Sequence, residues 1–326
     1  QYFFPEYSGT ATRLHNLLSN LRYKEILITS DRKINGEVIT KKEEYSNNIK
    51  VIRISLQSGK SLLNTAPLRY IHTIYQKPIS LESRRYIGSK AKLTEWIMNL
   101  IDKETENIGT FVDIFAGTAS IANQAIKKYN RVIINDILNA NNVVYKGFFE
   151  KGEWSKNKLH DIITSYNTLD ADLIEENYFS SNFGGKFYEH NTAKLIGYIR
   201  QDIENLKPEL TEKEYNILLA TLIYNIDKLA NTVGHFDAYI KKPIKPQPLR
   251  LRLIDAQNFE NVKIYREDAN KLAQKIKSDL VYIDPPYNSR QYNRFYHLYE
   301  TLVKWDKPKL YGVALKPAPE NSSLYC

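Results

Sequence analysis

The run Asp284-Pro285-Pro286-Tyr287 follows directly on a short apolar stretch, Leu280–Ile283. β-Branched and aromatic residues in such a stretch predict a buried strand. The two prolines stop it and remove two backbone donors. What remains is one carboxylate, fixed carbonyls and an aromatic face at the carboxyl end of a strand, the edge where open α/β sheets bind ligands. That set can accept hydrogen bonds and stack a planar ring. A second set lies in VDIFAGTAS, Val112–Ser120. Gly117 permits a tight turn, Ala116 and Ala119 let a ligand approach the backbone, and the following helix start presents free N–H groups. Asp136 ends the next strand, RVIINDI, about twenty residues on, where a dinucleotide-type fold places an acid on ribose hydroxyls. Taken alone, VDIFAGTAS reads equally as an ordinary strand-to-helix turn, and Asp136 as an exposed acid at a strand end.

Several elements must position these groups. RRYIGSK, Arg84–Lys90, reads as a loop before a helix, with Ser89 as its N-cap or simply as a plain helix start. VKIYRED and SDLVYID read as strands, RFYHLYETLVKW as one helix and LYGVAL as a last strand. Alternating strands and helices argue for a parallel or mostly parallel sheet. Between Asp136 and VKIYRED the texture changes to Tyr-, Asn- and Lys-rich sequence. It holds helices at TAKLIGYIRQDIENL and TEKEYNILLATLIYNIDKLANT, the second with Thr211 and Glu214 at capping-box spacing. NYFSSNFGGKFYEH reads as hairpin-like around Gly184-Gly185. Near the start, TATRLHNLLSNL predicts a helix, with KEILITS and IKVIRISL as strands.

The chain has 326 residues, a net charge of +9 and a single cysteine, Cys326, so no internal disulfide is possible. A reduced, cytoplasmic setting and a polyanionic partner are expected, though the charge alone fits a generically basic protein too. No apolar run suits a membrane span, no signal-peptide pattern opens the chain, and the few histidines form no ligand-spaced metal cluster. A start at Gln1 and an end in PENSSLYC suggest a fragment.

In this order RRYIGSK, DIFAGTAS, NDI, RED and DPPY resemble the DNA adenine methylases of restriction–modification systems and mismatch-repair marking, the Dam-like alpha class. The similarity spans Leu81–Cys326, and DPPYNSRQY…FYH…E is most similar to the type II methylases. The resemblance implies an α/β fold: a Rossmann-like S-adenosylmethionine-dependent methyltransferase sheet with a helical/hairpin target-recognition insertion. It divides the chain into an unassigned segment, 1–80, a cofactor-binding half, 81–144, the insertion, 145–261, and a catalytic half, 262–326, truncated before the further strands that complete the family's sheet.

For S-adenosyl-L-methionine it implies contacts from Tyr86, Lys90, Asp113, Phe115, Gly117, Asp136, Asp268 and Asp284. Phe115 packs near the methionine moiety, Asp136 holds the ribose and Asp268 accepts from the cofactor's adenine amino group; Asp268 also reads as a surface acid. Asp284, Pro285, Pro286 and Tyr287 are the implied catalytic set. Double-stranded DNA is the implied partner, with Lys241, Lys242, Lys245, Arg250 and Arg252 on its phosphates or, alternatively, on a solvated basic face. The expected protein is a monomer, nucleoid-associated and acting beside a cognate restriction endonuclease. A catalytically inactive DNA-binding fragment and an RNA adenine methyltransferase are the alternatives. Residues 1–80 fall outside this pattern. They resemble the first strands of a sugar-nucleotide glycosyltransferase, without its donor-binding half, or else form an accessory segment, and no glycosyl transfer is expected.

Overall fold

The computed structural model describes the backbone of three strands near the N terminus, together with residues 77–285 and 291–318. The chain divides into two compact units, Gln1–Ile71 and His72–Cys326. In the first, β1 (Glu25–Ser30) runs parallel to β3 (Ile49–Ser55), and β2 (Lys41–Tyr45) lies antiparallel along the other side of β3. β1 and β3 coincide with KEILITS and IKVIRISL. β2 is an addition: its sequence, KKEEY, carries no apolar run to announce it. The helix expected at TATRLHNLLSNL lies outside the described residues.

Among its described residues the second unit has four parallel strands: β4 (Thr110–Asp113), β5 (Arg131–Asn135), β6 (Val262–Tyr265) and β7 (Leu280–Tyr282). Their order is β6-β5-β4-β7. Phe111, Val132 and Ile134 enter one apolar cluster, whereas Val112 and Ile133 enter another. Successive side chains of a strand point to opposite faces, so both faces of the sheet are covered, as a parallel sheet requires. The chain steps from β4 outward to β5 and β6, then crosses back to place β7 on the other side of β4. The strand order therefore reverses between β4 and β7, and a crevice opens outside their carboxyl ends.

Helices α1 (Thr94–Glu104), α2 (Ser120–Ala125) and α3 (Asn139–Phe149) flank β4 and β5. The stretch before β6 adds α4 (Lys156–Tyr166), α5 (Tyr178–Phe183), α6 (His190–Asn205) and α7 (Glu212–Asp227). α7 starts where its capping box predicts: the Thr211 side chain accepts from Glu214 N, and the Glu214 carboxylate accepts from Thr211 N. α7 lies against α3 at Gly147, where a Cβ would sit 2.9 Å from the Asn216 carbonyl oxygen. After β6 come α8 (Ala269–Ala273), then β7, α9 (Tyr292–Phe295) and α10 (His297–Lys304). Among the described residues no helix is long and apolar enough to cross a membrane.

Four expectations are corrected. The Gly184-Gly185 segment is no hairpin. Asn177 forms a capping box that starts α5, and Phe179, Phe183, Phe187 and Tyr188 are all fully buried, which alternation along a hairpin would prevent. The glycines end that helix, with Gly185 at φ +70°. LYGVAL is not a strand: Gly312 and Leu315 have positive φ, and the segment folds into a tight turn closed by a Tyr311–Lys316 bridge. The run around β7 is not buried, because β7 is the edge of the described sheet and leaves Ile283 64% exposed. Finally, RFYHLYETLVKW is two helices, broken at Tyr296.

Candidate active site at the carboxyl edge of the sheet

Each strand of the second unit ends in or just before an acid: Asp113 closes β4, Asp136 follows β5, Asp268 follows β6 and Asp284 follows β7. Parallel strands bring their carboxyl ends to one edge, so four residues far apart in sequence meet around one cleft. Its empty space is about 950 Å³, mouth included, and its walls include all four acids with Tyr86, Lys90, Phe115, Gly117 and Pro285. Every cofactor contact implied by the sequence therefore lines this cleft. Pro286 and Tyr287 lie outside the described residues.

Asp136 is held on both oxygens. Oδ1 accepts from Leu138 N at 2.8 Å, and Oδ2 accepts from Gly117 N and Asn141 Nδ2, each at 3.0 Å. Burial pushes its carboxyl up to about 6, against these hydrogen bonds, which pull the other way; the nearby Glu300 carboxylate pushes it further up. Gly117 has φ +54°, the conformation a side chain disfavours, and Tyr145 Oη donates to its carbonyl at 2.6 Å. Ala119, also at φ +56°, carries the turn into α2.

Asp113 is 1% exposed, and its Oδ1 has no hydrogen-bond partner in the protein. Burial pushes this carboxyl up to about 8, aided by the charges of Asp284 and Asp136. Asp268 caps α8, its Oδ1 accepting from Asn270 N and Lys271 N. Lys90 forms an ion pair with Asp284, which ties the RRYIGSK loop to the segment after β7, and Lys90 Nζ also donates to the Gly88 carbonyl. Ser89 is not the N-cap of α1. That helix begins at Thr94, after an intervening turn, and Ser89 Oγ instead faces Thr118 Oγ1 at 3.4 Å.

Sequence reasoning missed the groups that hold these residues. Arg84 Nη2 donates to Asn141 Oδ1 at 2.6 Å, and Asn141 Nδ2 also reaches Tyr86 Oη. The Tyr86 ring stacks on Tyr296 with centroids 4.4 Å apart. Asn135, the first residue of NDI, donates to the carbonyls of Ile114 and Glu267 and accepts from Glu267 N. One side chain thus pins the carboxyl ends of β4, β5 and β6. The spacing of Asn141 from Asp136, which puts it in the first turn of α3, was the available signal for it; Asn135 offered none beyond being a polar residue ending a buried strand.

The basic residues lie elsewhere, in the irregular segment after α7. Lys241, Lys242, Lys245 and Arg250 are exposed, and Arg252 is half-buried. Arg250 donates to the Asn167 carbonyl at 2.5 Å and Arg252 to the Lys77 carbonyl at 3.4 Å, so both arginines have structural partners.

A parallel sheet whose carboxyl edge gathers one acid per strand, with a cleft at the reversal of strand order, is a Rossmann-like α/β core consistent with an S-adenosylmethionine-dependent methyltransferase. Comparison with known proteins narrows the class. The model of the D12 class N6 adenine-specific DNA methyltransferases matches residues 86–323, and the chain belongs to that family. It is 33% identical over 251 residues to the type II methyltransferase M.CviAII of Paramecium bursaria Chlorella virus 1, covering 74% of each chain. It is also 33% identical over 262 residues to the type II methyltransferase M.FokI of Planomicrobium okeanokoites, covering 74% of this chain and 40% of that one. With modification methylase StsI of Streptococcus sanguinis it shares 36% over 245 residues, covering 70% of this chain and 37% of that one. The chain thus spans about two fifths of the latter two relatives.

Proposed function

We propose that the chain transfers a methyl group from S-adenosyl-L-methionine to the exocyclic amino group of an adenine flipped out of duplex DNA. One observation carries this reading: Asp284 and Pro285 line the same cleft as Asp136, Asp268 and Phe115. Acceptors suited to a base and ligands suited to a nucleoside therefore share one space. The residues fit the cofactor. Asp113, a buried carboxyl held largely protonated by its surroundings, keeps one oxygen without a protein partner to meet a polar group of the ligand, and Phe115 and Ile137 supply apolar walls.

When bound, the cofactor supplies an electrophilic methyl group. Asp136 takes the ribose hydroxyls, Asp268 the adenine amino group, and Phe115 turns an aromatic face to the sulfonium. Tyr86, Lys90, Asp113 and Gly117 complete the wall. The target amino group is a poor nucleophile, because its lone pair is delocalised into the ring. Asp284 accepts one of its hydrogens through the carboxylate and Pro285 the other through its carbonyl. Acceptors so placed favour a tetrahedral nitrogen and stabilise charge that develops only in the transition state. Tyr287 stacks on the flipped base and offsets part of the few kcal/mol that unstacking costs.

The family to which the chain belongs and the type II methyltransferases among its relatives support duplex DNA as substrate and protection against a cognate restriction endonuclease as role. On this reading the protein is a cytoplasmic monomer working on the nucleoid. The direct experiment supplies tritiated cofactor with duplex DNA and, separately, with RNA. Label in N6-methyladenine of the duplex is expected; label confined to RNA, or none at all, overturns the reading.

The exposed lysines after α7 are assigned to phosphates. Neutralising Lys241, Lys242 and Lys245 together is expected to flatten the slope of log affinity against log salt by about 2–3, since each phosphate contact contributes roughly −0.9. Cognate and scrambled duplexes should weaken alike. A salt titration checks this: an unchanged slope leaves the run as a solvated face, and loss on the cognate duplex alone makes these lysines base readers.

A further inference from the structure

Glu300, on α10, ends the DPPYNSRQY…FYH…E pattern and has so far been given no role. It is 9% exposed. Its Oε1 accepts from Ala140 N at 2.8 Å, and its Oε2 accepts from Asn139 N at 3.2 Å and Asn139 Nδ2 at 2.8 Å. These are N–H groups of the first turn of α3, which has no capping side chain of its own at Leu138. A carboxylate at a helix N terminus satisfies donors that the helix leaves open and complements its dipole. The same turn supplies both of the α3-side hydrogen bonds to Asp136: Leu138 N to Oδ1 and Asn141 Nδ2 to Oδ2. One carboxylate therefore holds the turn, and the turn holds the other carboxylate.

We propose that Glu300 is a positioning residue for the cofactor, fixing the first turn of α3 and through it the orientation of the Asp136 carboxylate; this rests on the reading of Asp136 as the ribose ligand. Glu300 belongs to the helix pair that follows the Asp284 segment, so the catalytic strand's continuation braces the cofactor loop. Its charge also bears on Asp136. The groups facing Asp136 are Asp113 from β4, Tyr86 from the RRYIGSK loop, Tyr145 from α3 and Glu300 from α10. On the far side, Arg294, His297 and Lys304 border the small cavity at Glu300. Removing the Glu300 charge takes away one influence that favours the protonated form of Asp136. The ionised acceptor then persists to lower pH.

The test is calorimetric titration with S-adenosyl-L-homocysteine, the demethylated product, from pH 5 to 8, with melting temperatures recorded for every variant. Glu300→Ala is expected to weaken binding about tenfold or more at pH 7.5, the effect of losing hydrogen bonds to a charged group. Glu300→Gln fills the same space and keeps one acceptor oxygen but turns an amide N–H toward a donor, so it should recover part of the affinity. It should also shift the acid midpoint of binding below that of wild type, a change that mere loss of packing would not produce. Binding of Glu300→Ala within twofold of wild type overturns the proposal. Where Glu300→Ala does not fold, an unchanged midpoint in Glu300→Gln overturns it. Asp136→Ala serves as the reference. If it is weak while Glu300→Ala binds normally, only the positioning role falls; if it also binds like wild type, the ribose assignment falls and takes this inference with it.

Discussion

Replacing Asp284 with alanine is expected to cut methyl transfer by about 10²-fold or more, the scale seen when one preorganised partner of transition-state charge is removed. Asp284 follows β7 at the edge of the cleft, and its ion pair with Lys90 fixes the direction of the carboxylate. The alanine variant leaves Lys90 with solvent access, its side chain being 21% exposed, so the fold should survive. The loss should appear in single-turnover chemistry, with duplex affinity by gel shift kept within a few-fold. Turnover like that of wild type would sink the assignment of Asp284 as an acceptor for the target amino group.

Asp136→Ala should act on the cofactor instead. Ribose hydroxyls left without their acceptor cost about 1–3 kcal/mol, so affinity should fall roughly 5–150-fold. The wild-type protein should also lose affinity as pH falls through about 6, because burial has raised the Asp136 carboxyl to that value and only the ionised form accepts from both hydroxyls. Above that pH the acceptor is fully present, so the curve rises and then levels. Asp136→Asn should flatten this dependence. Calorimetry decides: unchanged affinity in Asp136→Ala, or a flat wild-type profile, would show that the ribose lies elsewhere.

The acids of the site were legible because each follows a run of β-branched or aromatic residues, and chain direction alone then sends all of them to one edge. Thr211 and Glu214 were legible for a similar reason: both partners of the cap sit three residues apart. Local pattern failed where distant packing decided. Around Gly184 the phenylalanines looked like strand residues, yet their common burial with Tyr188 favours a helix ended by the glycines. Val281 and Ile283 looked buried, but that reading needs a neighbour on the open side of β7, which the described residues do not provide. LYGVAL had the composition of a strand and no strand beside it. Asn135 carries no local signature, Asn141 only its spacing from Asp136 and Glu300 only its place in the FYH…E pattern; the partners of all three are set by which strand ends and helices meet. The charges after α7 were visible as charges, but two of the five, Arg250 and Arg252, turn out to hold backbone carbonyls.

The reversal of strand order at β4 has a consequence for how the molecule comes together. Asp279, just before β7, receives the N–H of Thr110 across 169 residues, and Glu300 receives that of Asn139 across 161. Contacts of such span form after local ones, because a long loop must close before they reward it. A growing chain can pair β4 with β5 early, yet its cleft has only one wall until residues near 280–300 arrive. The walls supplied by β4 and β5 and those supplied by β7 and the helices after it then come together late. A ligand that bridges them would slow their separation, so a pulse of protease should cleave the empty protein faster than the liganded one.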